Sequence, residues 1–168
     1  MSQTTVPANQ AVSYAGMLGD ATTDNVDSMV STEASAEVPF GVMVQHGTAD
    51  TDAKLLSATS NKLAGVVLQS HAYAVGTELG TVGLLPKASL SVLRQGKVWV
   101  NVEEAVAVGG AVRVRAAGTG TKGGFLTTAS ATNTIDCSKF CRFLTSTSGA
   151  GLALVEIDMS GAAGAVAD

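Results

Sequence analysis

The histidines and cysteines are the first side chains to consider for chemistry in this 168-residue chain, which holds two of each. Neither His46 nor His71 has a histidine, cysteine or carboxylate at the spacing of a metal site, so we expect both on the surface or in turns. Cys137 and Cys141 match neither a disulfide framework nor a zinc spacing. Because cysteine is among the most buried residue types, we predict buried free thiols. The sequence predicts no metal and no other cofactor.

A glycine-rich stretch at residues 118–124, GTGTKGG, combines glycines with a lysine as phosphate-binding loops do. The four-residue gap before Gly-Lys-Ser/Thr is missing and no helix is predicted to follow, so we expect a structural loop. Glu103 and Glu104 are adjacent and would point to opposite faces of a strand, which favours a solvated edge over a paired acid and base. With no Gly-x-Ser-x-Gly element and no general base near the cysteines, the sequence predicts no catalytic residue and no enzyme.

Trp99 is the one tryptophan of the chain, and the pattern places it on a polar strand face with little aromatic company. Sugar-binding sites use stacking platforms of several aromatic rings, and two tyrosines beside one tryptophan supply little material for one. Tryptophan is enriched at the energetic centres of protein interfaces, so we predict that Trp99 anchors an interface. Arg113 and Arg115 alternate with apolar residues and are expected to face solvent or a partner.

Composition limits the classes of fold and function. Apolar residues make up 46% of the chain and aromatic residues only 4%, so the core must consist of valine, leucine and alanine. Only 14% of residues are charged and 19 are glycine, which is typical of β-proteins rich in turns. The net charge of −4 argues against nucleic-acid binding, which needs a basic face. No signal peptide and no membrane-spanning stretch is predicted, so we expect synthesis in the cytoplasm.

The stretch ASLSVL-RQG-KVWVNV, residues 88–102, is the strongest structural signal and predicts a β-hairpin. A three-residue loop at 94–96 would place Gly96 in the left-handed conformation of a bulged turn. In that register one face is wholly apolar, whereas a two-residue turn would mix polar and apolar residues on both faces. The predicted buried face consists of Leu90, Val92, Val98, Val100 and Val102, and Asn101 is expected to be exposed.

Further strands are predicted at residues 38–45, 63–68, 82–85, 111–115, 139–144 and 152–159, the last two as a second hairpin. Residues 72–81 are a weaker strand candidate, residues 103–106 a possible helical turn, and residues 116–133 a loop. This pattern predicts an all-β fold, a small β-barrel or β-sandwich of short antiparallel strands. The predicted division is an extended N-terminal arm (1–37), the β-domain (38–160) and a flexible tail (161–168).

The arm carries no sustained period of two or 3.6, although it contains apolar residues such as Tyr14, Met17 and Leu18. It is either disordered or an extended segment that becomes ordered against a neighbouring subunit, and we favour the second interpretation. We therefore expect the β-domain to fold without residues 1–36. The candidate interface residues from the whole sequence are Tyr14, Met17, Leu18, Trp99, Arg113 and Arg115.

Several segments together resemble the structural cement, or capsid decoration, proteins of tailed bacteriophages. They are V-P-F-G-V-M-V (38–44), K-L-A-G-V-V (62–67), S-V-L-R-Q-G-K-V-W-V-N-V-E-E-A-V-A-V-G-G-A-V-R-V-R (91–115) and G-A-G-L-A-L-V-E-I (149–157). The segment Y-A-G-M-L-G-D (14–20) is similar to the N-terminal segment of that family. The matching residues belong to the scaffold and include no active site.

The resemblance implies a virion protein on the outer capsid surface, which forms a homo-oligomer (dimer or trimer) and bridges neighbouring major capsid protein subunits. The composition agrees with a role in packing against protein, with no nucleic-acid or membrane partner. Two other classes stay open: a host-surface or glycan-binding β-module of a phage particle, which a group of aromatic residues would favour, and a small β-barrel enzyme, which a titratable cluster in a pocket would favour.

Overall fold

The computed structural model describes residues 13–57, 62–69, 80 and 82–160, and the described residues form strands and turns with no helix. None of them belongs to a helix long and apolar enough to cross a membrane. The strands are β1 (Leu18–Ser31), β2 (Val38–Pro39), β3 (Met43–His46), β4 (Asp52–Leu55), β5 (Leu63–Val67), β6 (Gly83–Leu84), β7 (Ser89–Val102), β8 (Arg113–Arg115), β9 (Phe125–Leu126), β10 (Thr134–Asp136), β11 (Cys141–Phe143) and β12 (Gly151–Asp158).

Strand pairings close into a ring, which makes one half of the molecule a small barrel. Strand β1 pairs with β4, β4 with β3, β3 with β5, β5 with β7, and β7 again with β1. A first core cluster belongs to this half and includes Met29, Val44, Leu90 and Val92. The all-β prediction is confirmed. Most pairings are antiparallel as predicted, but β1–β4 and β7–β9 are parallel, and two strands of 14 residues are longer than expected.

Strand β7 runs without a break from Ser89 to Val102, so the predicted hairpin is wrong. Gly96 does have a positive φ of +136°, but it lies within the strand, where β1 changes register between Asp20 and Asn25. The face that meets the larger core changes at this irregularity, since Leu93 and Val98 both belong to that core and four partly exposed residues lie between them. The same pattern of apolar positions on both sides of Gly96 is produced by two structures. One is a hairpin with a three-residue loop, and the other is a continuous strand with a bulge.

The predicted buried face of β7 is nevertheless correct residue by residue, because the predicted positions are all buried and Asn101 is exposed. The strand divides these residues between two cores. Leu90 and Val92 belong to the barrel cluster, whereas Val98, Val100 and Val102 belong to a second, larger cluster with Phe125, Phe143, Val155 and Ile157. Strand β7 is therefore the element that joins the two halves of the molecule.

Residues 18–31 form β1, an integral strand of the chain's own sheet, so their assignment to an arm that needs a neighbouring subunit is wrong. The segment shows no alternation because its exposed residues include Val26 and Val30 alongside Asp24 and Asn25. Backbone pairing with β7 holds it in place, and such pairing leaves no mark on side-chain pattern. Residues 1–12 and 161–168 lie outside the described residues, and the roles predicted for them as arm and tail stay predictions.

Other elements follow the sequence with local changes. The 38–45 segment is split by a turn at Phe40–Gly41, where Gly41 has a φ of +72°. Residues 103–106 form a bend that leads into an isolated bridge at Val106, and not a helical turn. The 116–133 loop contains the short strand β9 with the fully buried Phe125. The expected strand within residues 72–81 lies outside the described residues apart from Gly80.

The second predicted hairpin is confirmed, with β11 antiparallel to β12 through Phe143 opposite Val155. Cys137 and Cys141 are buried free thiols, as predicted. Burial raises the pKa of the Cys141 thiol far above its ordinary value, because a thiolate would lose its hydration there. This cysteine is therefore a small apolar core residue.

Candidate interaction surface

Four neighbouring strands present one outer face, which we call the outer sheet face. Strand β1 pairs with the second half of β7, β7 with β12, and β12 with β11. Buried residues alternate with partly exposed ones along β7 and β12, so every second side chain points away from the larger core. The face consists of side chains held on strands whose opposite sides are packed, which makes it a rigid surface.

A row of four alternating charges crosses the outer sheet face, and we call it the charge row. The strand register places Asp20 opposite Lys97, Lys97 opposite Glu156, and Glu156 opposite Arg142. Lys97 Nζ donates to Asp20 Oδ2 at 2.6 Å, and Arg142 Nε donates to Glu156 Oε2. The hydrogen bond and the charge of Asp20 raise the pKa of Lys97 above its ordinary value. Read from β1 to β11, the signs are negative, positive, negative and positive.

An apolar row lies beside the charge row and is formed by Trp99 of β7 and Leu154 of β12, which are directly opposite each other. Both side chains are partly exposed. The end of the Leu154 side chain reaches toward β1, where a Cβ on Gly19 would overlap it. The pair lies between the charge row and the exposed Asn101. Large apolar side chains with polar residues around them are the combination that protein interfaces have at their centres.

Of the candidate interface residues, the structure brings Tyr14, Met17 and Trp99 together. The Trp99 amide donates to the Met17 carbonyl at 2.8 Å, and the Met17 amide donates to the Tyr14 carbonyl at 3.1 Å. Tyr14 is 38% exposed and Met17 is partly exposed. Leu18 instead lies opposite Val98 and packs against the larger core. Whether these residues contact a partner stays a prediction.

Arg113 and Arg115 lie apart from this group and make ion pairs within the chain. Arg113 Nη2 lies 3.0 Å from Asp136 Oδ2, and Arg115 donates from both Nε and Nη2 to the same oxygen, Glu103 Oε2. Their side chains are only 19% and 18% exposed. Partial burial raises the pKa of Asp136, but hydrogen bonds from Ser138 and the charge of Arg113 outweigh it and lower that pKa. Both arginines therefore join β8 to its neighbours and offer little surface to a partner.

Glu103 and Glu104 fix the loop that follows β8. Glu103 accepts a hydrogen bond from the Thr121 amide at 3.0 Å in addition to its pair with Arg115. Glu104 accepts from the Thr127 amide at 2.7 Å and from the Thr128 hydroxyl at 2.7 Å. The interpretation of these residues as a solvated edge missed this role, because their partners lie 12 to 24 residues further along the chain.

One cleft of about 430 Å³ is lined mainly by apolar and amide groups, including Phe40, Val42 and Asn101, and its one charged group, Glu103, is held by Arg115. Within the described part of the chain, no group of three histidine, cysteine, aspartate or glutamate residues could hold a metal ion.

Sequence reasoning missed Leu154, Glu156 and Arg142 as surface residues because it treated residues 139–159 as a separate hairpin. The charge row exists only because β12 pairs with β7, a contact between residues about 60 positions apart. The alternation in LALVEID does identify Leu152, Leu154 and Glu156 as one face, and that signal was available. The missing information was which strand lies next to that face.

Comparison with known proteins gives a family and a fold. The family model described as structural cement protein (E217 gp24/Pam3 gp6) matches residues 2–158. A chain in the solved capsid of Myoviridae phage XM1 is 18% identical, covers 94% of this chain and 97% of its own length, and superposes with a TM-score of 0.70. None of the curated proteins matches. Because the family model spans nearly the whole chain, this protein belongs to the structural cement proteins of bacteriophages and is a structural protein of the virion.

Proposed function

We propose that this protein is a capsid cement protein that binds the outer surface of the assembled phage head, bridges neighbouring major capsid protein subunits and stabilises the shell. The observation that carries the proposal is the match of the cement family to residues 2–158. The fold likeness to a chain in the capsid of phage XM1 supports the same assignment. After synthesis in the host cytoplasm, the protein acts on the virion as a homo-oligomer, a dimer or trimer, and carries out no reaction.

Stabilisation follows from mass action. A ligand that binds the assembled shell and not its separated subunits shifts the equilibrium toward the shell by an amount that grows with its concentration over Kd. Each copy needs only a modest affinity, because an oligomer that touches several capsid subunits gains roughly 10²–10⁴ in avidity over one contact. A protein with a rigid sheet surface suits this task, since binding orders few additional side chains.

The chemistry of the surface fits a protein partner. Trp99, the one tryptophan of the chain, lies partly exposed beside Leu154 on a strand whose other face is packed. The five ion pairs of the described residues place their arginines and Lys97 against carboxylates, so these cations form no basic patch for phosphate groups. We accordingly propose the major capsid protein as the partner, with no role for nucleic acid or membrane.

The direct test is sedimentation of the purified protein with mature capsids that lack it. Wild-type protein should sediment with the shells to a saturating copy number and raise the temperature at which they open. Trp99→Ala should bind with lower affinity, because loss of the largest apolar side chain of the outer sheet face weakens the homo-oligomer and therefore its avidity for the shell. Val108→Ala is the matched control, since Val108 is an exposed apolar residue, at 62%, on a different segment. If wild-type protein stays in the supernatant at saturating concentration, the proposed function is wrong.

A further inference from the structure

The charge row has a symmetry that indicates what binds it. Its signs, negative–positive–negative–positive across Asp20, Lys97, Glu156 and Arg142, become the opposite signs when the row is read in reverse. A second copy turned through 180° therefore presents a positive charge to each negative one. We propose that the outer sheet face is a twofold interface between two copies of this chain, with the axis parallel to the strands and between β7 and β12. This proposal rests on the homo-oligomer part of the proposed function and names the surface that forms it.

The register decides which residues meet across such an axis. Because the axis passes between Lys97 and Glu156, Lys97 of each copy lies over Glu156 of the other copy. The outer members of the row, Asp20 and Arg142, face each other in the same way. In the neighbouring row Trp99 lies over Leu154 of the second copy, so each tryptophan packs against an apolar side chain. An axis at right angles to the strands would instead place each charge against itself, which electrostatics disfavours.

Arg142 has the reach that this arrangement requires. Its side chain is 67% exposed, whereas its ion-pair partner Glu156 is only 30% exposed. A depression of about 440 Å³ runs along the charge row and is lined by Asp20 and Asp24 at the β1 side. A guanidinium from a second copy would enter this depression and meet two carboxylates. The Asp20 and Glu156 pairs made within each chain can persist, because a carboxylate accepts several hydrogen bonds.

The size of the face sets the expected strength. Two strands of about seven residues (β7 and β12) and two of about three (β1 and β11), about 4.8 Å apart with a rise of about 3.3 Å per residue, give a flat area on the order of 300 Å² per copy. Stable complexes bury about 800 Å² per partner, so this dimer belongs to the weak class. It should form at high concentration in solution or when neighbouring copies are held close on a surface.

Paired charge reversals test the proposal without capsids. In Arg142→Glu and in Asp20→Arg alone, both outer contacts of a homodimer become like-charged, and self-association should weaken by at least about 10-fold at low salt. In an equimolar mixture of the two variants both contacts are again opposite in sign, and association should return to within about 3-fold of wild type. Asp27→Arg is the matched control, since it breaks a similar β1–β7 ion pair with Arg94 at 3.3 Å outside the charge row.

Sedimentation equilibrium of the full chain from about 1 to about 300 µM measures these constants. A second readout needs no substitution: emission of Trp99 in wild-type protein should shift to shorter wavelength as concentration rises, because the second copy covers the ring. Recovery in the mixture together with this shift supports the interface. The proposal is overturned if wild-type protein stays monomeric throughout, if the mixture associates no better than its components, or if association leaves the Trp99 emission unchanged. None of these results depends on capsid binding, so the proposed function is tested separately.

Discussion

Gly123 offers the sharpest test of how the glycine-rich loop is built. It has a φ of +78° and lies against strand β3, where its carbonyl accepts from the Met43 amide at 2.9 Å and its own amide donates to the Arg115 carbonyl at 2.7 Å. A Cβ at this position would overlap the Met43 carbonyl oxygen and lie 3.0 Å from the Met43 nitrogen. Met43 is fully buried, so its backbone cannot move aside without disturbing the larger core.

Gly123→Ala should therefore destabilise the fold through two effects. The left-handed conformation costs a residue with a Cβ about 1–2 kcal/mol, and forcing extra volume into a packed site costs about 1–3 kcal/mol more. Gly109→Ala isolates the first effect, because Gly109 has nearly the same φ of +71° but no atom within 4 Å of the added Cβ. Urea unfolding followed by Trp99 fluorescence should give about 2–5 kcal/mol for Gly123→Ala and about 1–2 kcal/mol for Gly109→Ala. Equal losses in the two variants would refute the steric argument and reopen a ligand-binding explanation for the loop.

Three further outcomes are expected. Partial burial raises the pKa of Glu104, but hydrogen bonds from Thr128 and Thr127 outweigh this effect and lower that pKa. The contribution of Glu104 to the stability of the fold is therefore present above about pH 4.3 and is lost as pH falls through the lowered pKa. The difference in urea midpoint between wild type and Glu104→Gln should accordingly shrink from pH 7 to pH 3, and a constant difference would contradict this role. Deleting residues 1–36 removes β1 and should abolish the cooperative thermal melt, whereas deleting residues 1–12 should preserve it; a cooperative melt of the longer deletion would show that β1 is dispensable. Gly96→Val should lower stability by about 1–2 kcal/mol in urea unfolding, because the positive φ of residue 96 strains a β-branched side chain. An unchanged urea midpoint would show that β7 relaxes at this position at no cost.

Side-chain alternation predicted burial better than it predicted topology. The buried set of β7, from Leu90 to Val102, follows from apolar spacing alone, as does the pairing of β11 with β12. Alternation reports which side chains are buried, but a hairpin loop and an in-strand bulge near Gly96 are both compatible with the same buried positions on either side of it. The feature that distinguishes them is the register shift of β1 between Asp20 and Asn25, and that segment carries no period of its own.

The candidate surface was only partly predictable for a related reason. Trp99 could be identified from its residue type and from its place opposite a buried face. Its partner Leu154 and the charge row depend on β12 pairing with β7, which is a long-range contact with no local signature. Arg113 and Arg115 were correctly seen as alternating with buried residues, but alternation cannot show that Asp136 and Glu103 hold them.

Strand β7 links the fold to the proposed interface, because one continuous strand supplies side chains to both cores and also carries the partly exposed Trp99 and Lys97. A surface built on such a strand is already in its bound conformation, so association loses little backbone entropy. The charge row is internally neutralised in the free protein, so it has no strong field that would attract unrelated partners. Its sign pattern still distinguishes a correctly oriented copy from a reversed one. The small area of the face therefore leaves copies separate when dilute, and the charge row aligns them when a capsid surface brings them together.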